Sequence, residues 1–440
     1  MLIRFGCANY KSIYGYQELL FTASSLKDPQ ADVLKNVGIP EPVLPSIGIY
    51  GANASGKTNM IEALAFLVGF INDSYAQAKP NGIKRSIFKL NSNAKVEVSE
   101  FDIDFIFADK HYHYGFKIND EAVAEEWLFA YAYDKRKSRK VLFHRSIAEE
   151  NVYKFSSHLK GENRLIAKLT RANSLYLSTA AQNNHELLGA IYSCFNLSFF
   201  FRINYNYHQQ LLQSLFMVPI LKECGTLKQV SYFISNSGSG IDAVELKTKD
   251  RDDIELKILN GLQNVVNDSL GDHALNMDTL IKDGDIIELA HKDQHGNIVP
   301  FDLEEESLGT KALVALLAPA FKVLNQGGVF IVDEIESSLH VFLTLQIIKL
   351  FNRKETNPKG AQLLFTTHET HILCSNILRR DQIWFSEKAP DGATVIAPLT
   401  DYQLRATDNI QKGYLEGRFG AIPFLGDMQQ LFQSESPSNG

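Results

Sequence analysis

The sequence predicts an α/β protein: a mixed sheet carrying a phosphate-binding loop, an antiparallel β-subdomain beside it, and a helical insertion. Three observations carry this expectation. The stretch 46–59, SIGIYGANASGKTN, joins a short apolar strand to a helix through G-x-x-x-x-G-K-T. Residues 96–155 alternate apolar and polar positions with period two. Across the C-terminal half, short apolar strands alternate with helical stretches, the pattern of a largely parallel sheet.

The elements follow in order. Residues 2–13 read as a first or edge strand and 17–23 as its antiparallel partner; 26–45 holds four prolines and reads as a loop. After the strand 47–50, the run 59–69 has apolar Met60, Ile61, Ala63, Leu64, Phe66, Leu67 and Val68, which suits a helix packed on a sheet. The polar stretch 72–93 carries Lys79, Lys84, Arg85 and Lys89; it reads as a solvated loop or as one touching a phosphate or a partner. Strands are expected at 96–98, 101–107, 111–118, 125–133, 140–144 and 152–155, with their aromatics forming cross-strand pairs. The stretch 188–270 is mostly helical in pattern, with 195–201 as buried helix core and no sustained heptads. Strands at 285–289 and 298–303 flank the turn residues DQHGN. A helix at 307–324, a strand at 329–332, a helix at 341–351 and strands at 362–366 and 383–385 complete the chain. The organisation is 1–185 and 276–440 around an insertion at 186–275.

Composition narrows the class. Of 440 residues, 45% are hydrophobic and 22% charged, ordinary for a globular protein. The net charge of −7 excludes a uniformly basic nucleic-acid-binding surface; DNA is possible but not indicated. Cys7, Cys194, Cys224 and Cys374 are scattered without a C-x-x-C pair, which fits free thiols in a reducing cytoplasm rather than a zinc site. The N-terminus runs straight into a strand-like segment, and the apolar stretch 308–324 is interrupted by lysine and proline, so neither a signal peptide nor a membrane span is expected.

The chemistry lies in a few short stretches. Gly51 and Gly56 let the backbone of the loop turn so that successive N–H groups point at phosphate oxygens. Lys57 brings a positive charge to the terminal phosphates, and the Thr58 hydroxyl can ligate magnesium. VFIVDE, 329–334, is an apolar strand ending in two carboxylates: Asp333 to hold magnesium, Glu334 to orient or deprotonate an attacking water. His368 ends the strand in TTH, within reach of a γ-phosphate. ESLGTK, 306–311, opens a helix where Ser307 and the Gly309 amide form an anion site with no local ligand. His368 also reads as an ordinary strand-end residue and Ser307 as a plain N-cap.

In this order, GANASGKT, ESLGTK, VFIVDE, SSLH and TTH resemble the ATPase heads of the ABC superfamily. Within it the chain is similar to SMC-like heads, to the ATPase domains of overcoming-lysogenisation-defect nucleases, and most to stand-alone AAA-family ATPases of phage-resistance operons, of the abortive-infection AbiL, RloA and PARIS AriA type. NYKS at 9–12 and YLEGRFGAIP at 414–423 resemble that family's terminal elements. The resemblance covers about 1–185 and 275–425. It implies an ABC-type head that binds and hydrolyses ATP with Mg2+, slowly and as a homodimer or higher homo-oligomer. The implied nucleotide set is Gly51, Asn53, Ser55, Gly56, Lys57, Thr58, Asn59, Gln182, Ser307 and Gly309. Thr58, Gln182 and Asp333 are the implied metal ligands; Glu334 and His368 are catalytic. Ser307 and Gly309 form the signature that meets the opposite subunit's γ-phosphate, and Gln182 is the Q-loop glutamine. Three departures stand out. ESLGTK replaces the transporter signature, His340 stands where many relatives carry aspartate, and no Toprim-like acidic cluster follows the head. The implied role is the sensor or scaffold of an anti-phage system, with a phage-derived trigger and a separate nuclease or toxin effector. The competing expectations are a DNA-associated SMC-like repair ATPase and a scaffold that binds ATP without turning it over.

Overall fold

The computed structural model describes residues 1–35, 37–76, 82–133, 138–203, 217–223, 225–248, 285–404 and 408–420. Two sheets organise the N-terminal and nucleotide-binding parts. Seven antiparallel strands run in the order β2-β1-β4-β5-β6-β7-β8: Leu2–Ala8 is β1, Gln17–Leu20 β2, Ser99–Phe107 β4, Lys110–Ile118 β5, Val123–Ala132 β6, Ser138–Ser146 β7 and Tyr153–Phe155 β8. Six strands form the mixed sheet, in the order β16-β15-β3-β14-β13-β9. Here Ser46–Tyr50 is β3, Phe199–Arg202 β9, Val329–Val332 β13, Gln362–Thr367 β14, Ile383–Lys388 β15 and Thr394–Pro398 β16. Every pairing in this sheet is parallel except β15 with β16.

The mixed sheet is the middle layer because its strands are apolar on both faces, as a sheet covered on both sides requires. Ile47, Ile49, Ile331 and Leu364 join one core with Met60, Leu64 and Leu67 of the helix Lys57–Asp73 and with Phe101, Ile103 and Phe116 of the antiparallel sheet. Phe330, Val332, Leu363 and Phe365 alternate with them and join a second core, with Leu313, Leu316 and Leu317 of the helix Leu308–Gln326 and Ile347 of the helix Val341–Asn352. Leu308–Gln326 is long and apolar enough to cross a bilayer, but most of its apolar positions are buried in this second core. The aromatics of the antiparallel sheet pair across strands as expected: Phe101 with Phe116 at 5.5 Å, His113 with Phe129 at 5.6 Å.

A third sheet of three antiparallel strands, Ile241–Thr248 (β10), Asp285–Lys292 (β11) and Ile298–Asp302 (β12), leads into the helix Leu308–Gln326. The expected hairpin is β11–β12. Its turn is closed by the Asp293 carboxylate, which accepts from the amides of His295 and Asn297, both at 2.8 Å.

Four sequence expectations are corrected. Residues 96–98 are not a strand: Val96 is 82% exposed, after a single turn of 3₁₀ helix, Ser92–Lys95. Phe199–Arg202 is not helical core but β9, which continues directly from the helix Glu186–Ser198. The stretch 186–275 is therefore not a purely helical insertion, since it supplies β9 to the mixed sheet and β10 to the small sheet; its residues 204–216 and 249–275 lie outside the described residues. The fourth correction, at Gln182, belongs to the site. Lys79, Cys224 and 421–423 also lie outside the described residues.

Candidate nucleotide site

The site is built where β3, β13 and β14 end side by side. Parallel strands align their carboxyl ends, so the loops that follow them converge on one edge of the sheet. From β3 come Gly51 to Thr58, from β13 Asp333 and Glu334, and from β14 His368.

The loop after β3 needs its glycines for close approach. A Cβ on Gly51 would stand 2.4 Å from the Ser386 carbonyl oxygen. Gly56 has φ +106°, and a Cβ there would meet Thr394 Oγ1 at 2.0 Å. Thr394 Oγ1 donates to the Ser55 carbonyl at 2.8 Å and Ser386 Oγ to the same oxygen at 3.2 Å, so β15 and β16 anchor the loop from behind. Asn59 Nδ2 donates to Ser12 Oγ at 2.5 Å, and Ser12 Oγ lies 2.7 Å from Thr394 Oγ1. Asn53 is exposed at the loop tip, whereas the Ser55 side chain is buried and its hydroxyl has no partner among the described residues. Gly56 precedes a helix of 17 residues, whose N-terminus therefore faces the loop's concavity.

Lys57 Nζ donates to the carbonyls of Gly51 and Ala52, both at 2.9 Å, and lies 3.5 Å from His368 Nδ1. Burial pushes its ammonium down to about 8, against the opposing pull of Asp333, Glu334 and Glu336. The Thr58 hydroxyl lies 3.0 Å from both carboxylate oxygens of Asp333. Thr366 Oγ1 donates to Asp333 Oδ1 at 2.6 Å and accepts from the Glu334 amide at 2.8 Å. Glu334 has φ +49°, a strained conformation for a non-glycine residue, and its side chain is 55% exposed. His368 Nε2 stands 3.8 Å from Glu334 Oε1. The imidazole is held below its ordinary pKa, first by burial and then by the Lys57 charge, so it is largely neutral near pH 7. Nδ1 of the ring thus faces Lys57 and Nε2 faces Glu334.

Lys57, Thr58, Asp333, Glu334 and His368 thus come together; Gln182 does not join them. It ends the helix Tyr176–Gln182 and hydrogen-bonds Tyr192, whose hydroxyl donates to the Asn72 carbonyl at 2.9 Å. Asn72 is at the far end of the Lys57–Asp73 helix, about 25 Å from the loop at 1.5 Å per residue. The chain beside Asp333 is instead the end of β9, where the Asp333 amide donates to the Arg202 carbonyl at 2.9 Å. A lone glutamine after a helical stretch carries no pattern that tells these two places apart.

Ser307 and Gly309 stand apart from the loop within one chain. Ser307 caps the helix Leu308–Gln326, accepting from the Thr310 amide at 3.2 Å, and is exposed. Among the described residues no hydrogen bond or ion pair joins Ser307 to the phosphate loop. Gly309 packs on the turn after β13: a Cβ there would stand 3.2 Å from the Ser338 carbonyl oxygen. His340 caps the helix Val341–Asn352 by accepting from the Phe342 amide at 3.3 Å, a task an aspartate at this position would also perform.

The sequence reading missed Ser12, Glu336, Thr366 as an anchor, and Thr394. Ser12 carried a signal in NYKS and Thr366 in TTH; Glu336 and Thr394 carried none. A groove of about 560 Å³ opens beside Asn59, lined by Lys11, Ser12, Phe88, Lys89 and Lys388. Of the basic cluster at 79–89, Arg85 and Lys89 line it; the Arg85 guanidinium is tied to the Asp120 carboxylate at 2.7 Å and to the Lys95 carbonyl at 2.9 Å.

The comparisons with known proteins agree with this geometry. The family described as "AAA domain, putative AbiEii toxin, Type IV TA system" matches residues 46–374, about three quarters of the chain. No curated protein matches. Among solved structures, an SMC head bound to the C-terminal winged-helix domain of ScpA is 14% identical, with 90% of this chain and 97% of that one covered at a TM-score of 0.42. The SMC head domain from Thermotoga maritima is 12% identical, covering 92% and 99% at 0.37. An SMC head with an extended coiled coil, bound to the C-terminal domain of ScpA and derived from Pyrococcus furiosus, is 12% identical, covering 91% and 97% at 0.42. With the phosphate loop, the two carboxylates and the histidine on one sheet edge, and the family match spanning all of them, the chain belongs to the AAA-domain family of the putative AbiEii toxin type.

Proposed function

We propose that the protein hydrolyses ATP with magnesium as a homodimer, and that it serves as the sensor or scaffold subunit of an anti-phage system with a separate toxin or nuclease effector. The observation that carries the hydrolytic reading is the meeting of Thr58 with Asp333 at 3.0 Å, beside Glu334 and His368. The donor set fits the ion: a hydroxyl and a carboxylate are hard oxygen ligands, and both belong to rigid elements. The loop fits phosphates, because its glycines let the backbone turn tightly against β15 and β16, where any Cβ would clash, just ahead of a helix N-terminus.

In this reading Thr58 and Asp333 hold magnesium, which when bound offsets the charge of the phosphate oxygens. The loop amides and Lys57 bind and orient the β- and γ-phosphates. Glu334 orients the attacking water and takes its proton. Neutral His368 stands on the γ-phosphate side, between Lys57 and Glu334. The nucleoside leaves on the side of Asn59, opposite the carboxylates, where the 560 Å³ groove and its lysines can take it. Ser307, exposed at a helix N-terminus, serves the partner subunit's nucleotide. The effector or the phage-derived trigger meets the 188–270 region, which the loop chemistry does not require.

The toxin–antitoxin setting of the family description supports the defence role. The acidic balance and the lack of heptads in the sequence speak against the alternative, a DNA-associated repair ATPase. The test is Mg-ATP turnover and nucleotide binding by the purified protein. Lys57→Ala is expected to lose binding, and Glu334→Gln to bind ATP and stall. Turnover by Glu334→Gln at the parent rate would refute the base assignment. Phage protection lost with either variant, together with co-purification of a neighbouring gene product, tests the defence role.

A further inference from the structure

We propose that Glu336 is a positioning residue that fixes His368 and joins it, through the turn 336–340, to the helix that begins at Ser307; this rests on the ATPase reading above. Glu336 Oε1 accepts the His368 backbone N–H at 2.6 Å, a bond between the loops that leave two adjacent parallel strands, β13 and β14. The same turn is internally braced. The Ser337 amide donates to the Glu334 carbonyl at 2.8 Å and the Leu339 amide to the Glu336 carbonyl at 2.9 Å. Its Ser338 carbonyl is the atom against which Gly309 packs. One short turn therefore touches Glu334, His368 and the first turn of the Ser307 helix.

Among the described residues the side chain makes no second hydrogen bond: Glu336 Oε2 is buried without a partner. The carboxylate's hydrogen bonding is thus committed to the His368 amide, and Glu336 sets where His368 stands. A shift of the Ser307 helix against the partner's nucleotide would reach His368 through this one side chain.

The test uses the full-length protein. Glu336→Ala is expected to lower kcat by about tenfold or more, while the Kd for a non-hydrolysable ATP analogue stays within about threefold of the parent. Glu336→Gln keeps an acceptor for the His368 amide and is expected to restore kcat to within about threefold. A second measurement needs no turnover. In protein labelled with ¹⁵N-histidine, the His368 amide signal, identified by its loss in His368→Gln, moves upfield in Glu336→Ala and holds its place in Glu336→Gln. Parent-like kcat in Glu336→Ala, or a loss that Glu336→Gln does not recover, overturns the proposal. A parent protein without Mg-ATP turnover overturns the ATPase reading instead. Glu336 is then judged by the amide signal, and an unmoved signal in Glu336→Ala overturns its role.

Discussion

Replacing Thr366 with valine removes one hydroxyl and keeps the shape. In the fold that hydroxyl makes two bonds at once, to Asp333 at 2.6 Å and from the Glu334 amide at 2.8 Å, and the residue is fully buried. A hydrogen bond to a charged group contributes about 1.5–3 kcal/mol, and a neutral one about 0.5–1.5 kcal/mol. Asp333 keeps the Thr58 hydroxyl, and the exposed Glu334 can turn its amide to water, so the loss falls in the lower part of the sum, about 2–3 kcal/mol. The functional loss comes from the backbone. Glu334 is held at φ +49°, a conformation that costs about 1–3 kcal/mol, and the Thr366 bond is one of the contacts that hold it there. Without that bond Glu334 relaxes away from the place it holds in the proposed reaction, and kcat is expected to fall about 10- to 100-fold with little change in nucleotide Kd. Urea unfolding gives the first quantity, and a coupled ATPase assay with nucleotide titration gives the second. Thr367→Val is the control, because among the described residues the Thr367 hydroxyl accepts from the Glu369 amide, at 2.9 Å, and makes no hydrogen bond to Asp333. A Thr366→Val protein within about 0.5 kcal/mol of the parent, turning over at the parent rate, would refute this account of how the carboxylates are held.

Four further outcomes follow from the geometry. Lys57 is depressed to about 8, so its charge is lost as pH rises through that value; ATP affinity is expected to weaken above pH 8 in titrations of the parent and to hold in Lys57→Arg. In the same range the folded protein gains stability, because the unfolded lysine still binds its proton up to its ordinary value of 10.5; chemical denaturation at pH 8 and pH 10 checks the sign. Gln182→Ala is expected to leave ATP affinity and the magnesium dependence of turnover unchanged, since its side chain bonds Tyr192 at the far end of the loop helix; a loss of magnesium dependence would return it to the site. Finally, Lys57→Ala and Ser307→Arg chains are each expected to be inactive alone and to regain turnover when mixed, because the mixed dimer has one site with both residues intact. Activity of Ser307→Arg alone that does not fall on dilution would rule out the shared site.

What could be read from the chain was what lies close together along it. Gly51, Lys57 and Thr58 sit in one loop, and Asp333 and Glu334 follow one apolar strand, so their types and spacing survive without the fold. Partners contributed from afar were invisible: Thr394 lies 339 positions from the Ser55 carbonyl it binds. The run Phe195 to Phe201 misled for a physical reason. A short buried strand and a buried helix segment are both continuously apolar, and here one turns into the other at Phe199 with no glycine or proline between. Gln182 misled because one amide side chain has no periodicity to check it against, whereas His368 was secured by the strand it ends.

The place of β9 bears on how such a protein can change over time. Phe199–Arg202 pairs along the whole of β13, from Val329 to Val332, and its last carbonyl receives the Asp333 amide. A chain shortened by all of 186–275 would strip the strand that leads to Asp333 of its neighbour, leaving a raw sheet edge next to that carboxylate. If the region is exchanged for another, the exchange therefore has to begin after Arg202, and a graft that removes β9 is expected to cost the proposed ATP turnover.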